Sequence, residues 1–116
     1  MNDEKPIFIQ IIEMIEDDIL SGVYSADGLI ISTPQISKLL GVNPATAQKA
    51  IGILTDGGIV YKKRGVGMAV SARAKGLILE KRKADFFERA VKEFVAAAKK
   101  IGIGTDELIG IIARSN

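Results

Sequence analysis

The chain has 116 residues, 26% of them charged, and contains no Cys and no His. That length supports one modest core with a small appendage. The composition excludes disulfides, Cys- or His-ligated metal sites, and catalysis by a Cys or His nucleophile or base. The formal net charge of +2 hides a division: residues 1–31 carry one base against seven acids, residues 32–79 seven bases against one acid, and residues 80–116 eight bases against six acids. A middle third that is basic almost throughout is what a polyanion-binding face needs. Nothing approaches the ~18 consecutive apolar residues of a membrane span. Met1 to Lys5 is polar and acidic, so no signal peptide is expected and the chain reads as soluble and cytoplasmic.

Pro6 suits a first helical position, and Phe8, Ile11, Ile12, Ile15 and Ile19 follow on one helical face. Glu13, Glu16 and Asp17 are expected largely off that face, as solvated carboxylates rather than a metal or catalytic cluster. Ser21-Gly22 ends the helix. Asp27-Gly28 signals a turn, and Leu29-Ile30-Ile31 is a short β-prone run.

Two helices are then expected in close succession. Thr33 is placed as N-cap and Pro34 as first residue of one, with Ile36, Leu39 and Leu40 as its apolar stripe and Gly41 as its stop. Asn43-Pro44 repeats the start signal, Ala47, Ala50, Ile51 and Leu54 form the next stripe, and Gly57-Gly58 closes it. A joint of about three residues forces a wide crossing angle, which demands small residues such as Ser37, Ala47 and Ala50 where the helices meet. The second helix then shows Ala45, Thr46, Gln48 and Lys49 outward near its N-terminus, side chains that fit a major groove. Ile59-Val60-Tyr61 and Met68-Ala69-Val70 read as two strands around a basic tip, Lys62-Lys63-Arg64-Gly65-Val66-Gly67. Glycines at 65 and 67 let backbone N–H groups come close to a phosphate.

From Ala74 to Ile101 the pattern is helical again, with Leu77, Ala84, Phe87, Val91, Phe94, Ala98 and Ile101 on an alternating spacing of three and four. Gly102 and Gly104 break it. Thr105 is placed as the cap of a last helix carrying Leu108, Ile109, Ile111 and Ile112. The fold class expected is α+β, mostly α: a winged helix-turn-helix domain over residues 1–72 and a two-helix dimerisation appendage over residues 73–116. The appendage finds no large partner left within the chain, so a second copy is expected against Leu77, Ala84, Phe87, Val91, Phe94, Val95, Ala98, Ile101, Leu108 and Ile112, the competing reading being that these helices fold back onto the winged domain.

Read together, three blocks resemble the GntR superfamily of bacterial transcription regulators, and within it the YtrA-like subfamily. They are Pro6-Ile7-Phe8-x-Gln10-Ile11, Gly41-Val42-Asn43-Pro44-Ala45-Thr46-Ala47-Gln48-Lys49-Ala50, and Gly58-Ile59-Val60-Tyr61 through Arg64-Gly65-Val66-Gly67. The resemblance covers essentially the whole chain, and the tail is similar to the YtrA-like dimerisation appendage. It implies a homodimeric repressor on a pseudo-palindromic operator, with transporter operons among the targets of such regulators. Three departures stand out. The family's arginine before the helix that starts near Thr33 is replaced in the stretch Ile31-Ser32-Thr33-Pro34, its usual Thr after the wing glycine is Met68, and an aromatic often found just beyond Lys49-Ala50 is replaced in the region of Ile51 and Gly52.

The candidate contacts to double-stranded DNA are Ser32, Thr33 and Gln35 at the first helix start, Asn43, Ala45, Thr46, Gln48 and Lys49 on the second helix, and Lys62, Lys63, Arg64, Gly65 and Gly67 on the wing. Gln suits adenine, while Lys takes guanine or a phosphate. No catalytic set, metal site or cofactor motif stands out, so no enzyme is expected. No polar cluster marks a site for a small-molecule effector. The competing reading is a winged-helix module that binds another protein and has no specific DNA target.

Overall fold

A computed structural model describes residues 4–116; Met1 to Asp3, whose Asp3 belongs to the acidic N-terminal block, lie outside the described residues. The first helix, α1, is Ile7–Leu20, and Pro6 stands one position earlier than expected, as its N-cap. Ile11, Ile12, Ile15 and Ile19 are buried, as their spacing requires. Glu16 departs from expectation, because it is only 1% exposed. It follows Ile12 by four residues and precedes Ile19 by three, so the helical period carries it onto the edge of the buried face.

Helix α2 is Thr33–Leu40 and α3 is Pro44–Asp56. The N-cap of α2 is Ser32, not Thr33. Ser32 Oγ accepts the Gln35 N–H at 3.3 Å and Gln35 Oε1 accepts the Ser32 N–H at 2.9 Å. This reciprocal pair needs a Gln or Glu three residues after the cap, a spacing that Ser32 satisfies and Thr33 does not. Gly41 ends α2 at φ 64°, in the left-handed region. Asn43 caps α3 by accepting the Ala45 N–H at 2.8 Å. Ser37 Oγ donates to the Val42 carbonyl at 2.5 Å and ties the joint to α2.

α3 packs on both α1 and α2. Ala47 and Ala50 are fully buried where it does so. The hairpin follows: β1, Val60–Lys63, pairs antiparallel with β2, Gly67–Val70, in the register Val60↔Val70 to Lys63↔Gly67. Lys62 and Lys63 therefore belong to a strand, and the tip is only Arg64-Gly65-Val66. Gly65 at φ 75° turns it, and the Val66 N–H reaches the Lys63 carbonyl at 2.9 Å. On the other edge of β2, Leu29 bridges to Ala69, with Ile30 N–H to Met68 O at 2.9 Å.

The fold is thus α+β, mostly α, and the chain divides into two compact units, one ending at Leu79 and one of residues Glu80–Asn116. The division falls within α4, Ala74–Asp85, later than position 72. Ala74 and Ile78 are buried in the first unit's core and Leu77 packs against it. In the second unit a π-helical stretch, Phe86–Val91, precedes α5, Lys92–Lys100. The last helix, α6, is Thr105–Arg114, with Gly104 rather than Thr105 at its N-cap.

The fully buried alanines generate a stability prediction. Ala50→Leu forces new volume into a closed joint and should cost about 1–3 kcal/mol in urea unfolding. An unchanged midpoint would mean that α3 is not seated as described.

Candidate nucleic-acid interface

With Ala47, Ala50, Ile51 and Leu54 turned inward, α3 offers Ala45, Gln48, Lys49 and Gly52 to solvent, at i, i+3, i+4 and i+7. This face is shallow: an alanine, a glycine with open space around it, and two long polar side chains. Thr46 is half-buried beside it. Gln48 is exposed.

Lys49 is exposed too, but its Nζ lies 4.0 Å from the centre of the Phe8 ring on α1. The ring's negative face attracts the ammonium, a contact worth ~0.5–1 kcal/mol at an exposed position. Sequence reasoning placed Phe8 in the apolar stripe and Lys49 on the outer face, and had no means of joining them across 41 positions.

The starts of both helices spend their backbone donors internally. In α3, Pro44 has no N–H, the Ala45 N–H goes to Asn43 Oδ1, and those of Thr46 and Ala47 go to the Asn43 carbonyl. Asn43 is therefore engaged as a cap. In α2, Pro34 has no N–H and Gln35 and Ser32 satisfy each other. What remains there for a phosphate is the Thr33 N–H with the Ser32 and Thr33 hydroxyls.

The wing sorts its bases by strand alternation. Tyr61 and Lys63 share one face, and Lys62 projects from the other. The Tyr61 hydroxyl donates to Asp27 Oδ1, and Lys63 Nζ approaches the Asp27 carbonyl at 3.5 Å. The hydrogen bond to Asp27, with some desolvation and the carboxylate's charge, raises Tyr61 above its ordinary value of 10.0. Arg64, Gly65 and Val66 stand exposed at the tip, and Gly67 is exposed at the start of β2.

The candidate interface residues of the tail fall into three groups. Phe87, Phe94, Ile101 and Ile112 are exposed, at 62%, 48%, 74% and 57%. Ala84 is exposed, and Val91 and Val95 are half-buried. Ala98 and Leu108 are buried already, and Leu77 is drawn into the first unit's core. Those last three are used up within the chain.

Three helices with a hairpin behind them, α3 outward and a basic tip beside it, define a winged helix-turn-helix protein. Residues 9–70 match the description "Bacterial regulatory proteins, gntR family". That match spans more than half of the sequence, and the chain belongs to the gntR family. The HTH-type transcriptional repressor YtrA of Bacillus subtilis (strain 168) is 27% identical over 103 residues, 89% of this chain and 78% of YtrA. The HTH-type transcriptional regulator GgaR of Escherichia coli (strain K12) is 29% identical over 69 residues, 60% of this chain but only 28% of GgaR. A GntR-family transcriptional regulator from Bacteroides thetaiotaomicron is 33% identical with a TM-score of 0.74, covering 96% of this chain and 100% of that one. The AraR DBD in complex with operator ORR3 is 32% identical with a TM-score of 0.54, covering 57% of this chain and 80% of that one. The protein is thus a gntR-family winged helix-turn-helix protein similar to YtrA over most of its length.

The Lys49–Phe8 contact yields a measurable coupling. Phe8→Leu keeps the apolar bulk and removes the ring. Its stability cost should be ~0.5–1 kcal/mol larger with Lys49 present than in a Lys49→Met background. Equal costs in both backgrounds would show that the ring does not hold the ammonium.

Proposed function

We propose that the protein is a homodimeric repressor that binds a pseudo-palindromic operator. The observation that carries this reading is the shallow outer face of α3 beside a basic wing. α3 enters the major groove, with Gln48 as its long reading side chain and Ala45 and Thr46 packed close to the bases. Lys49 contributes charge at the groove edge from its place on Phe8. Ser32 and Thr33 anchor a phosphate with their hydroxyls. Asn43 and Gln35 act indirectly, by capping the helices that present the contacts. Arg64 and Lys62, with the Gly65 and Gly67 backbone, bring the wing along the adjacent groove. That a related domain, the AraR DBD, is seen in complex with operator DNA supports this placement.

The tail supplies the second copy. Phe87, Phe94, Ile101 and Ile112 leave apolar surface exposed, and Phe94 lines a shallow concavity with Ile111, Ile112 and Ala113. A symmetric pair covers such surface and fixes the half-site spacing. The regulator works where the chromosome is, in the cytoplasm. On the YtrA-like resemblance its target is an operon for a transporter.

Selection of bound duplexes from a random pool tests the reading directly, and a pseudo-palindrome is the expected product. Against the selected duplex, Arg64→Ala should weaken binding to many sequences and flatten the slope of log K against log salt by roughly 0.9, one phosphate's worth. Gln48→Ala should relax preference at one base position by about 1–3 kcal/mol. No salt-sensitive binding at micromolar protein would favour the protein-interaction module instead. For the tail, Phe94→Asp should convert a dimer to a monomer by light scattering, and a wild-type monomer would overturn the symmetric arrangement.

A further inference from the structure

Asp27 lies in the loop before α2, 34 positions from Tyr61 in sequence, and is not a base. Yet three separate contacts converge on it. Its N–H donates to the Val70 carbonyl at 2.8 Å. Its carboxylate accepts the Tyr61 hydroxyl, and its carbonyl faces Lys63 Nζ at 3.5 Å. It is also the one residue other than glycine, among those described, with a positive φ, at 63°. A non-glycine in that region costs free energy unless its surroundings hold it there.

The geometry places these contacts on both strands of the hairpin. The backbone bond grips β2, and the side-chain bond reaches across to β1. The partners Tyr61 and Lys63 lie on one face of β1 by alternation, and Arg64 is the next residue along. A two-stranded hairpin alone is marginally stable in water. Val60 and Val70 anchor its base in the core, and the Asp27 contacts add a hold on the strand that leads to the tip.

We infer that Asp27 is a positioning residue: through Tyr61 and the β2 backbone it clamps the wing and fixes where Arg64 is delivered to the duplex. The inference rests on the operator-binding reading above. The clamp has a second consequence. Lys63 turns back toward Asp27, so the forward charge of the wing is Arg64 with Lys62. The raised Tyr61 agrees with the contact, since a carboxylate neighbour favours the protonated phenol. Protonation keeps the donor in place below about pH 10, and the clamp opens as pH rises through the raised value.

The test uses the full chain and a duplex selected from a random pool. Tyr61→Phe removes only the hydroxyl, and Asp27→Gly removes the carboxylate while keeping a residue at ease with positive φ. Each should weaken binding by roughly 3- to 10-fold, the effect of one net hydrogen bond on the delivery of a contact. Asp27→Asn keeps an acceptor and tolerates the backbone conformation, so it should restore most of the affinity. In either clamp variant, Arg64→Ala should cost much less affinity than it costs in the wild type.

Spectrophotometric titration supplies the signature independent of DNA: one tyrosine titrating above 10 in the wild type should fall toward 10 in Asp27→Gly. Four results would overturn the clamp while leaving the operator reading intact. One is an equal cost of Arg64→Ala in all backgrounds. Another is tighter binding by Asp27→Gly, which would make Asp27 a mere repeller of phosphate. The others are Asp27→Asn binding no better than Asp27→Gly, and a tyrosine titration that Asp27→Gly leaves unchanged. A wild-type protein that selects no duplex would sink both the reading and the clamp.

Discussion

Two alanines with no exposed surface, Ala47 and Ala50, decide where the rest of the first unit can lie. They allow the α3 backbone to come close to α1 and α2, whose larger side chains, Ile11, Ile15 and Ile36, supply the bulk of the core. Once those positions face inward, the helical period leaves no choice about the outer face. Ala45, Gln48, Lys49 and Gly52 must point away from the core. The hairpin hangs from the same core through Val60 and Val70, so wing and reading helix share one rigid support. The shape of that outer face depends on packing that lies wholly beneath it.

The basic middle of the chain looks uniform in sequence and is not uniform in space. Lys49 rests on an aromatic ring, and Lys63 leans back on the loop before α2. Both still contribute to the long-range field that draws in a polyanion, because that field depends on charge and distance rather than on contact. Local contacts are a different matter. A side chain already held must leave its partner before it can bind, whereas Lys62 and Arg64 stand exposed on the wing without such a contact.

Periodicity and capping chemistry were legible in the sequence because both are local. The helices α1, α2 and α3 and the hairpin stand where the pattern of apolar residues, prolines and glycines put them. The slips are single residues and have local causes. Ser32 displaces Thr33 as cap because Gln35 completes a reciprocal pair only with Ser32. Gly104 displaces Thr105 for a reason that no side-chain hydrogen bond explains. What could not be read joins distant positions: Lys49 with Phe8, and Tyr61 with Asp27. Neither pair leaves a trace in spacing, because the fold alone brings them together. The same limit applied to the candidate site. Side-chain type singled out Gln35, but only the structure shows it occupied in the capping box of α2, whereas the capping role of Asn43 was legible from the Asn-Pro start signal.

The tail shows how one local irregularity redirects a surface. Seven residues separate Phe87 from Phe94, and in a regular α-helix they would drift apart by only ~20°. The π-helical stretch Phe86–Val91 includes Phe87 and ends three residues before Phe94. A π turn takes in one residue more than an α turn, which rotates everything beyond it by ~100°. The alternating three-and-four spacing therefore does not make one continuous seam. Phe94 instead joins Ile111 and Ile112 of α6 around a concavity, while Phe86 and Phe87 meet edge-to-face with ring centres 5.8 Å apart. Ion pairs such as Arg89–Asp85 and Lys92–Glu88 bracket the irregular turn, exposed and individually weak. Two apolar patches in place of one stripe suit a partner that wraps around the helix better than one that lies straight along it. A coiled-coil zipper needs the unbroken seam that the π turn removes.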